Sequence, residues 1–401
     1  MNAERSVKVL IAGGGIGGLA AALALARRGK HVTVIEKALE FGEIGAGLQL
    51  APNASRMLDR LGVLDRIAAN AVFPTEIAWM DALSGERLTS LDLGPRFIER
   101  FDYPYMVMHR SDLLTSLLDA CRANMHITLE TSKELIAIDD SGDAVHLRMA
   151  DGTRYHAGVL VGADGLWSTV RKAIADDGDP ICSEYVAYRG AIPIEQMSAR
   201  AGLESVLLWT GPRMHLVQYP VRRGELYNQV AVFKSSRYRA DSEKWGAADE
   251  LAKHFAGTAK PVRAALADIK RNRRWPMFDR LPISTWSRNR ITLLGDAAHP
   301  MLQYIAQGAS QALEDALALA DALADYNDVS AAFRAYEHAR CVRTARVQTT
   351  ARAFGEYKHL ELGAAFEARK ERLRARSADD FNEIAWLYGE GRAQAADASR
   401  S

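Results

Sequence analysis

The order of apolar and polar positions near the N-terminus predicts a strand, a turn, a helix and a second strand. Residues 7–12 are almost wholly apolar and end in glycines, residues 19–28 are rich in Ala and Leu, and residues 32–35 are again apolar. Strands without polar alternation are typical of a parallel sheet that is covered on both faces, as βαβ units require. We therefore predict that the chain opens with a Rossmann-like α/β unit.

A second pattern, the alternation of apolar and polar positions, runs through residues 183–234. Aromatic and β-branched residues alternate there with polar ones, and turn segments such as RRGE separate the runs. This pattern predicts an antiparallel sheet, in which one face can cover a pocket while the other meets solvent. Because an apolar strand of the first kind returns at residues 290–294, we predict that this sheet is an inserted domain.

The last part of the chain is predicted to be helical. Ala, Leu and Arg occur at helical spacing from Ala309 to about Tyr357. A strongly basic segment follows at residues 366–376, without interleaved aromatic residues. We interpret it as a solvated helix face or a subunit contact rather than a nucleic-acid site.

Composition narrows the possible partners and locations. The 401 residues include 51 Lys and Arg against 50 Asp and Glu, so no broad field attracts nucleic acid or an anionic membrane, and a small molecule is the expected partner. Three cysteines without a CxxC pair predict a reducing compartment, hence the cytoplasm. No stretch reaches the roughly 20 apolar residues of a membrane span. The ten histidines lack metal-ligand spacing, so no metal site is predicted.

The glycines after the first strand form a GxGxxG motif. Gly13, Gly15 and Gly18 would permit the tight turn, the close approach of a pyrophosphate and the packing of the helix on the strand. Glu36 ends the second strand, where an acid can accept hydrogen bonds from a ribose diol. This combination predicts a dinucleotide site but does not distinguish NAD from FAD.

Two further strands end in an acid. Residues 161–171 read VGADGLWSTVR and contain Asp164, and residues 291–300 read ITLLGDAAHP and contain Asp296. Each acid could simply cap a strand end, but together they would lie beside the same crevice, where open α/β sheets bind ligands. Gly308 could then open a helix whose free backbone N–H groups face an electron-rich ring.

These three regions together resemble the signature regions of the single-component FAD-dependent aromatic hydroxylases, the class A flavoprotein monooxygenases. The similar segments are GGGIGGLAAALAL, VGADGLWSTVR and LLGDAAHPMLQYIAQGASQALEDA. The resemblance implies that Glu36 binds the adenosine ribose, that Asp296 binds the ribityl chain, and that Arg110 of the HRSDL segment contacts FAD. It places Asp164 in a region associated with both FAD and NAD(P)H. The residues predicted to bind the cofactor are Gly13, Gly15, Gly18, Glu36, Gly47, Arg110, Asp164, Asp296 and Gly308.

The resemblance also implies a para-hydroxybenzoate hydroxylase-like α/β fold. In it a Rossmann-like FAD-binding domain carries an inserted antiparallel-sheet substrate domain and is followed by a helical C-terminal region. The predicted FAD-binding domain comprises residues 1–72, 100–178 and 270–345. The predicted substrate domain comprises residues 73–99 and 179–269, and the C-terminal helical region residues 346–401.

The implied reaction is hydroxylation of a small aromatic acid. NADH or NADPH reduces FAD, O2 adds at flavin C4a, and the activated ring attacks the resulting hydroperoxide. Within the family, segments such as PYMVMHRSDL and GPRMHLVQYP look most similar to those of the 3-hydroxybenzoate hydroxylases, which implies 2,5-dihydroxybenzoate as product. Salicylate and 6-hydroxynicotinate are alternative substrates, and a non-catalytic binding protein of the same fold is an alternative of another class. The family suggests a homodimer.

Two residues of one predicted strand are candidates for activating the substrate. His215 and Tyr219 are four positions apart and so share a strand face, while Gln218 points the other way. Without the resemblance, a strand histidine on an apolar face would be a core residue more often than a base. With it, we predict that both bind and activate the substrate phenol.

Three further residues complete the predicted site. Gln303 stands where the family usually has Pro, and Ala306 where it usually has Gly, so we predict that Gln303 contacts substrate near the flavin edge. Tyr105 is a candidate substrate contact, although its aromatic neighbours are also consistent with simple packing. The predicted catalytic residues are thus His215, Tyr219 and Gln303. His299 is assigned to the flavin-binding turn and not to catalysis.

Overall fold

The computed structural model describes residues 4–42, 46–140, 142–197, 202–242 and 244–389. In these ranges the strands are β1 (Arg5–Ala12), β2 (Val32–Ile35), β3 (Gly47–Leu50), β4 (Glu76–Asp81), β5 (Arg87–Asp92), β6 (Met106–His109), β7 (Ile127–Glu130), β8 (Leu135–Asp140), β9 (Val145–Met149), β10 (Arg154–Gly162), β11 (Ile181–Pro193), β12 (Ser205–Gly211), β13 (Met214–Val221), β14 (Leu226–Lys234), β15 (Trp275–Asp279), β16 (Ser287–Arg288) and β17 (Ile291–Leu293).

The helices in the same ranges are α1 (Ile16–Arg27), α2 (Pro52–Arg60), α3 (Leu64–Ala68), α4 (Pro95–Phe101), α5 (Arg110–Arg122), α6 (Thr169–Ile174), α7 (Ala248–Phe255), α8 (Lys260–Asp268), α9 (Gly308–Asp325), α10 (Val329–Lys358), α11 (Ala364–Arg374) and α12 (Asn382–Tyr388). Short 3-10 turns lie at Ile194–Gln196, Gly295–Ala297 and Gln303–Ile305.

The first sheet is built around five parallel strands. Its main order is β16-β17-β10-β1-β2-β7, with β9 and β8 attached to β10 as antiparallel strands. All four residues of β2 are buried, and α1 is buried from Gly18 to Ala26 between this sheet and α9. Burial on both faces explains why these segments lack polar alternation. The predicted Rossmann-like opening is confirmed.

The second sheet has the order β15-β11-β14-β13-β12-β4-β5 and is antiparallel except for the parallel pair β12 and β4. The predicted antiparallel sheet is therefore confirmed. Its far face does not meet solvent, however. Trp209 and Phe233 pack there with Leu251 of α7 and Leu266 of α8 in one buried cluster. The expectation of a solvent-facing side was wrong because two helices that the pattern did not predict cover it.

The domain boundary predicted at residue 270 does not agree with the way the strands pair. β15 was placed with the FAD-binding segments, but it pairs with β11 of the second sheet. The division into domains otherwise stays a prediction, and its C-terminal region extends to residues 390–401, which lie outside the described residues.

The C-terminal part is helical, as the spacing predicted, with α9 and α10 covering most of residues 308–358. The basic segment forms α11, which is more than a solvated face, since Phe366, Arg369 and Leu373 are buried. The guanidinium of Arg369 donates hydrogen bonds to the carbonyl oxygens of Tyr357 (3.0 Å) and Lys358 (2.6 Å). This helix therefore caps the end of α10. Throughout the described ranges, no helix is both long and apolar enough to cross a membrane.

A buried ion cluster joins α9 to α10. Arg340 donates to Glu314 Oε2 (2.5 Å) and Asp315 Oδ1 (2.7 Å), and Arg343 donates to Glu314 Oε2 (2.6 Å). Burial alone would raise the pKa of both carboxyl groups, but the contacts with Arg340, with Arg343 for Glu314 and with His299 for Asp315, hold each pKa at about 2. The cluster therefore stays ionised at neutral pH and ties the two helices together.

We expect Arg340→Met to lower the free energy of unfolding by roughly 3–5 kcal/mol, because the substitution removes the cation that two buried carboxylates share. Urea unfolding followed by circular dichroism measures this loss. Arg28→Met is the control, since Arg28 pairs with Asp321 of the same helix α9 at the surface, where an ion pair contributes about 1 kcal/mol or less. Equal losses in the two variants would contradict the role given to the cluster.

Candidate active site

The three sequence motifs meet at the carboxyl ends of neighbouring parallel strands. The amide of Ala163 donates to Ala12 O (2.8 Å), and the amide of Leu294 donates to Gly162 O (2.9 Å). The loops that follow β1, β10 and β17 are therefore adjacent. The sequence analysis predicted that the three motifs lie at one crevice, and the structure confirms that these loops meet there.

The glycines of the first motif occupy positions that differ in what surrounds them. Gly13 has φ +114°, and a Cβ added to it would lie 2.2 Å from Ala163 O. A Cβ at Gly18 would lie 1.9 Å from Gly13 O, whereas one at Gly15 would meet nothing within 4 Å. Gly13 and Gly18 are thus required by packing. Gly15 borders the smaller of two cavities, of about 350 Å³, and leaves room there for a ligand.

Glu36 lies at the edge of this smaller cavity. Its carboxylate accepts hydrogen bonds from the amides of Gly14 (2.9 Å) and Ala38 (2.9 Å). These bonds fix the carboxylate at the end of β2, beside Lys133 in the cavity wall. Each carboxylate oxygen can accept a further hydrogen bond, so the geometry permits the predicted contact with a diol.

Asp164 also lines the smaller cavity, but its carboxylate is engaged by the chain itself. It accepts from Ser168 Oγ (2.5 Å) and from the amides of Thr169 (2.7 Å) and Val170 (3.1 Å), at the start of α6. Burial raises the pKa of Asp164 despite these bonds. Its place in the structure is that of a helix cap, and its part in cofactor binding stays a prediction.

Arg171, in the same motif, connects the second motif to the third. Its guanidinium is buried and donates to the carbonyl oxygens of Ala297 (2.9 Å) and Ala298 (2.6 Å) while pairing with Asp177 (2.6 Å). Both carbonyls belong to the turn that carries Asp296. The spacing of Ser168 and Arg171 was visible in the sequence, but it did not reveal this contact 126 positions away.

The turn that carries Asp296 is held from the other side by α9. Asp315 Oδ2 accepts from the amide of Gly295 (3.0 Å) and contacts His299 Nε2 (2.5 Å). His299 is fully buried in this contact and packs against Trp286. It therefore holds the turn, which agrees with leaving it out of catalysis. Asp296 itself is exposed and borders both cavities.

The larger cavity, of about 840 Å³, lies between the second sheet and the N-terminus of α9. Arg110, Asp296, Gly308 and Ala309 line both cavities, so the two meet at these residues. Gly308 is the first residue of α9, as predicted, and the first amides of this 18-residue helix have no acceptor within the helix. An electron-rich group at the junction would meet these donors.

One face of β13 forms a wall of the larger cavity. His215, Val217 and Tyr219 line it, whereas Gln218 points to the opposite face and hydrogen-bonds Trp209 Nε1 (2.9 Å). The alternation predicted for this strand is confirmed. Gln303 and Tyr105 line the same cavity, so the four predicted substrate contacts are brought together.

Tyr105 and Tyr219 share a hydrogen-bonding partner that the sequence did not indicate. Tyr105 donates to Gln49 Oε1 (2.7 Å), and Gln49 also hydrogen-bonds Tyr219. Burial raises the pKa of both phenols, so both stay protonated at neutral pH. Next to Gln49, Gly47 leaves room for Tyr219, since a Cβ at this glycine would lie 2.6 Å from the ring. Gly47 was predicted as a cofactor contact, and the structure gives it this packing role as well.

His215 belongs to a buried cluster of rings. Its Nδ1 lies 2.7 Å from His359 Nε2, the two imidazoles stack at 4.9 Å, and both contact the ring of Tyr304. Burial, and after it the positive charge of Lys358, lowers the pKa of both histidines well below the ordinary value. His215 is therefore neutral at pH 7 and can accept a proton.

The turn before α9 carries a residue with unfavourable backbone geometry. Ala306 has φ +53° and ψ +42°, a left-handed conformation in which the side chain of an L-residue is crowded. This explains why the family usually has Gly at the position. Gln303, three residues earlier in the same turn, is exposed, and its Nε2 contacts Met277 Sδ at 4.0 Å.

The sequence analysis missed three residues that line the larger cavity, Gln49, Arg189 and Lys358, and it also missed His359, which contacts the cavity residue His215. Gln49 and Arg189 sit on strands, where a single polar residue does not distinguish a cavity wall from a solvent face. Lys358 and His359 end the long helix α10, and nothing in their spacing relates them to His215. Elsewhere in the described ranges, no group of three or more His, Cys, Asp or Glu side chains could hold a metal ion.

Comparisons with known proteins agree with this geometry. A sequence model of the FAD binding domain family matches residues 6–351. 3-Hydroxybenzoate 6-hydroxylase 1 of Aquipseudomonas alcaligenes is 40% identical over 382 residues, which cover 95% of this chain and 97% of the relative. 3-Hydroxybenzoate 6-hydroxylase of Klebsiella oxytoca is 39% identical over 389 residues, 96% of each chain. The crystal structure of Klebsiella pneumoniae HpxO with FAD and uric acid superposes with a TM-score of 0.83, at 27% identity, over 96% of this chain and 97% of that one.

We expect Gly15→Ala to weaken FAD binding at least about tenfold without lowering the thermal stability of the apoprotein, because the new Cβ would point into open space beside the cavity. Fluorescence titration of apoprotein with FAD measures the affinity. Gly18→Ala is the comparison variant, and it should lower stability since its Cβ would strike the backbone of Gly13. A Gly15→Ala protein with wild-type FAD affinity would argue against nucleotide binding at this position.

Proposed function

The chain belongs to the FAD-dependent aromatic hydroxylases of the FAD binding domain family, and on that premise we propose that it converts 3-hydroxybenzoate to 2,5-dihydroxybenzoate with O2 and NADH or NADPH. The observation that carries this proposal is the face of β13, where His215 and Tyr219 line a cavity that meets the glycine-lined cavity at Asp296 and Gly308. The two named relatives, matched over almost their whole length, support the choice of substrate.

The smaller cavity and the junction fit FAD. The open space at Gly15, the carboxylate of Glu36 and the junction residues Asp296 and Gly308 are the features such a dinucleotide needs. These residues, with Arg110, would hold the cofactor. When bound, FAD supplies the redox chemistry by which O2 becomes able to hydroxylate a ring.

The residues of the larger cavity prepare the substrate ring. A ring is a better nucleophile when its hydroxyl group gives up a proton or is strongly hydrogen-bonded. In the tautomer in which His215 Nδ1 donates to His359, the Nε2 atom of neutral His215 is left to accept that proton. The phenol of Tyr219 stays protonated and can donate to the same substrate oxygen. Gln303, on the turn beside the junction, positions the ring from the cofactor side.

Apolar side chains in another part of the cavity wall would help to exclude water from the bound substrate. Val217, Met301 and Ile305 place apolar side chains around the polar groups. A dry cavity strengthens the hydrogen bonds to the substrate and protects reactive oxygen species from hydrolysis.

The proposal also includes an oligomeric state, an electron donor and a location. A homodimer and a nicotinamide donor follow from the resemblance to the family. A cytoplasmic location follows from the cysteines, all three of which are free thiols. Salicylate and 6-hydroxynicotinate remain the competing substrates to be tested.

The reaction is tested by product identification with 18O2. We expect FAD-loaded enzyme, NADH and 3-hydroxybenzoate to give 2,5-dihydroxybenzoate that carries one 18O atom, and we expect faster NADH oxidation with 3-hydroxybenzoate than with salicylate or 6-hydroxynicotinate. Mass spectrometry and chromatography against authentic isomers check label and regiochemistry together. If 3-hydroxybenzoate neither binds nor accelerates NADH oxidation, the substrate assignment is wrong.

We expect His215→Asn to lower kcat/KM for 3-hydroxybenzoate by roughly 10²–10⁴-fold, the range of a general base, while FAD affinity is unchanged. Steady-state kinetics with product analysis measures the loss. His254→Asn is the matched control, because His254 packs against Phe233 on the opposite face of the same sheet. A loss of similar size in the control would point to damage to the sheet rather than to a role in catalysis.

A further inference from the structure

Lys358 occupies an unusual place in the larger cavity. It is the last residue of α10, only 2% of it is exposed, and it lines the cavity that contains His215 and Tyr219. Its Nζ lies 3.4 Å from the carbonyl oxygen of Tyr304 and 4.8 Å from the centre of the Tyr304 ring. The ring of Phe354 lies 5.2 Å away on another side. One long hydrogen bond and two aromatic faces therefore surround the ammonium group.

Arg369 is buried and donates to backbone carbonyl oxygens, but three other cations with little exposure have carboxylate partners. Arg171 pairs with Asp177, Arg340 with Glu314 and Asp315, and Lys370 with Asp81. Within the described part of the chain, no carboxylate lies within ion-pair distance of Lys358. The titratable groups beside it include two imidazoles, since the positive charge of Lys358 lowers the pKa of His215 and His359.

A buried ammonium without a counter-ion is costly to keep charged. Burial lowers the pKa of Lys358 to about 7, which means that the protein does not compensate its charge. An anion arriving beside the ammonium group would supply the missing charge, since the carboxylates that line the cavity, Asp296, Asp380 and Glu383, are not ion-paired with Lys358. Lys358 and His215 both contact the ring of Tyr304, so an aromatic ligand near His215 has Lys358 close by.

We propose that Lys358 binds the carboxylate of the aromatic acid and thereby makes the site selective for acids over neutral phenols. This inference rests on the proposed function, because it assigns one end of the proposed substrate. His215 and Tyr219 receive the ring hydroxyl group, and the ammonium of Lys358 receives the carboxylate. The two groups together then fix both substituents of the ring.

Arg189 is the rival candidate within the cavity. Its guanidinium lies 4.8 Å over the ring of Trp275, and the residue as a whole is half-buried, so it is less desolvated than Lys358. Arg372, at the rim, is 72% exposed and paired with Glu383. Lys358 is the more deeply buried cation and so has the most to gain from an anion.

The test compares acid and amide forms of one ring. The FAD-loaded wild type, Lys358→Met and Lys358→Arg are titrated with 3-hydroxybenzoate and 3-hydroxybenzamide, and the dissociation constants are read from the flavin absorbance. We expect the wild type to prefer the acid by about tenfold or more, and Lys358→Met to lose this preference while keeping its amide affinity. Lys358→Arg should keep a preference for the acid. If Lys358→Met retains the wild-type preference, the proposal is overturned.

Thermal unfolding separates anion binding from a structural role. Without ligand at pH 7, Lys358→Met should unfold at a higher temperature than the wild type, because the substitution removes an uncompensated buried charge. A lower unfolding temperature would show that Lys358 holds the fold together, and would overturn the proposal.

Two control variants show which cation is responsible for the preference for the acid over the amide. Arg372→Met should leave the preference for the acid unchanged. If Arg189→Met abolishes it and Lys358→Met does not, Arg189 is the anion site and the assignment of Lys358 fails. The proposed function fails separately, when wild-type protein binds neither 3-hydroxybenzoate nor its amide.

Discussion

The arrangement of the site depends on the hydrogen bonds that the buried carboxylate of Asp315 accepts. It is buried in α9, yet it stays ionised because His299 and Arg340 approach it from two sides. The oxygen that contacts His299 also accepts a hydrogen bond from the amide of Gly295, which fixes the turn that carries Asp296. The same helix begins at Gly308. One ion cluster therefore fixes the positions of both the turn and the helix N-terminus, where the two cavities meet. Arg171 secures that turn from the second motif.

The two cavities that meet there differ in character. The smaller one has backbone amides and glycines on its walls, which suits a charged and extended dinucleotide. The larger one combines apolar walls with a few polar groups whose protonation is set by burial. His215 is kept neutral, Tyr105 and Tyr219 are kept protonated, and Lys358 is left without a counter-ion. Such a site is prepared for a small aromatic molecule that brings its own negative charge and a hydroxyl group.

Much of this could be predicted from the sequence, because the cofactor motifs are local. One βαβ unit contains Gly13, Gly18 and Glu36, and their contacts are made within it. Their spacing in the sequence was therefore enough to predict that they lie beside one another. His215 and Tyr219 were placed on one face by the two-residue period of a strand. Gln49, Lys358 and His359 could not be found, since their roles come from contacts between segments far apart in the chain. For the same reason the sequence did not show that α7 and α8 cover the far face of the second sheet.

A crystal structure of the FAD-loaded protein with 3-hydroxybenzoate tests the account most directly. The account predicts that the flavin reaches the junction at Asp296 and Gly308 and that the acid lies against the β13 face, with its hydroxyl group beside His215 and its carboxylate toward Lys358. Density for the acid outside the larger cavity, or an acid whose carboxylate is held by Arg189 while Lys358 has no contact with it, would contradict the account.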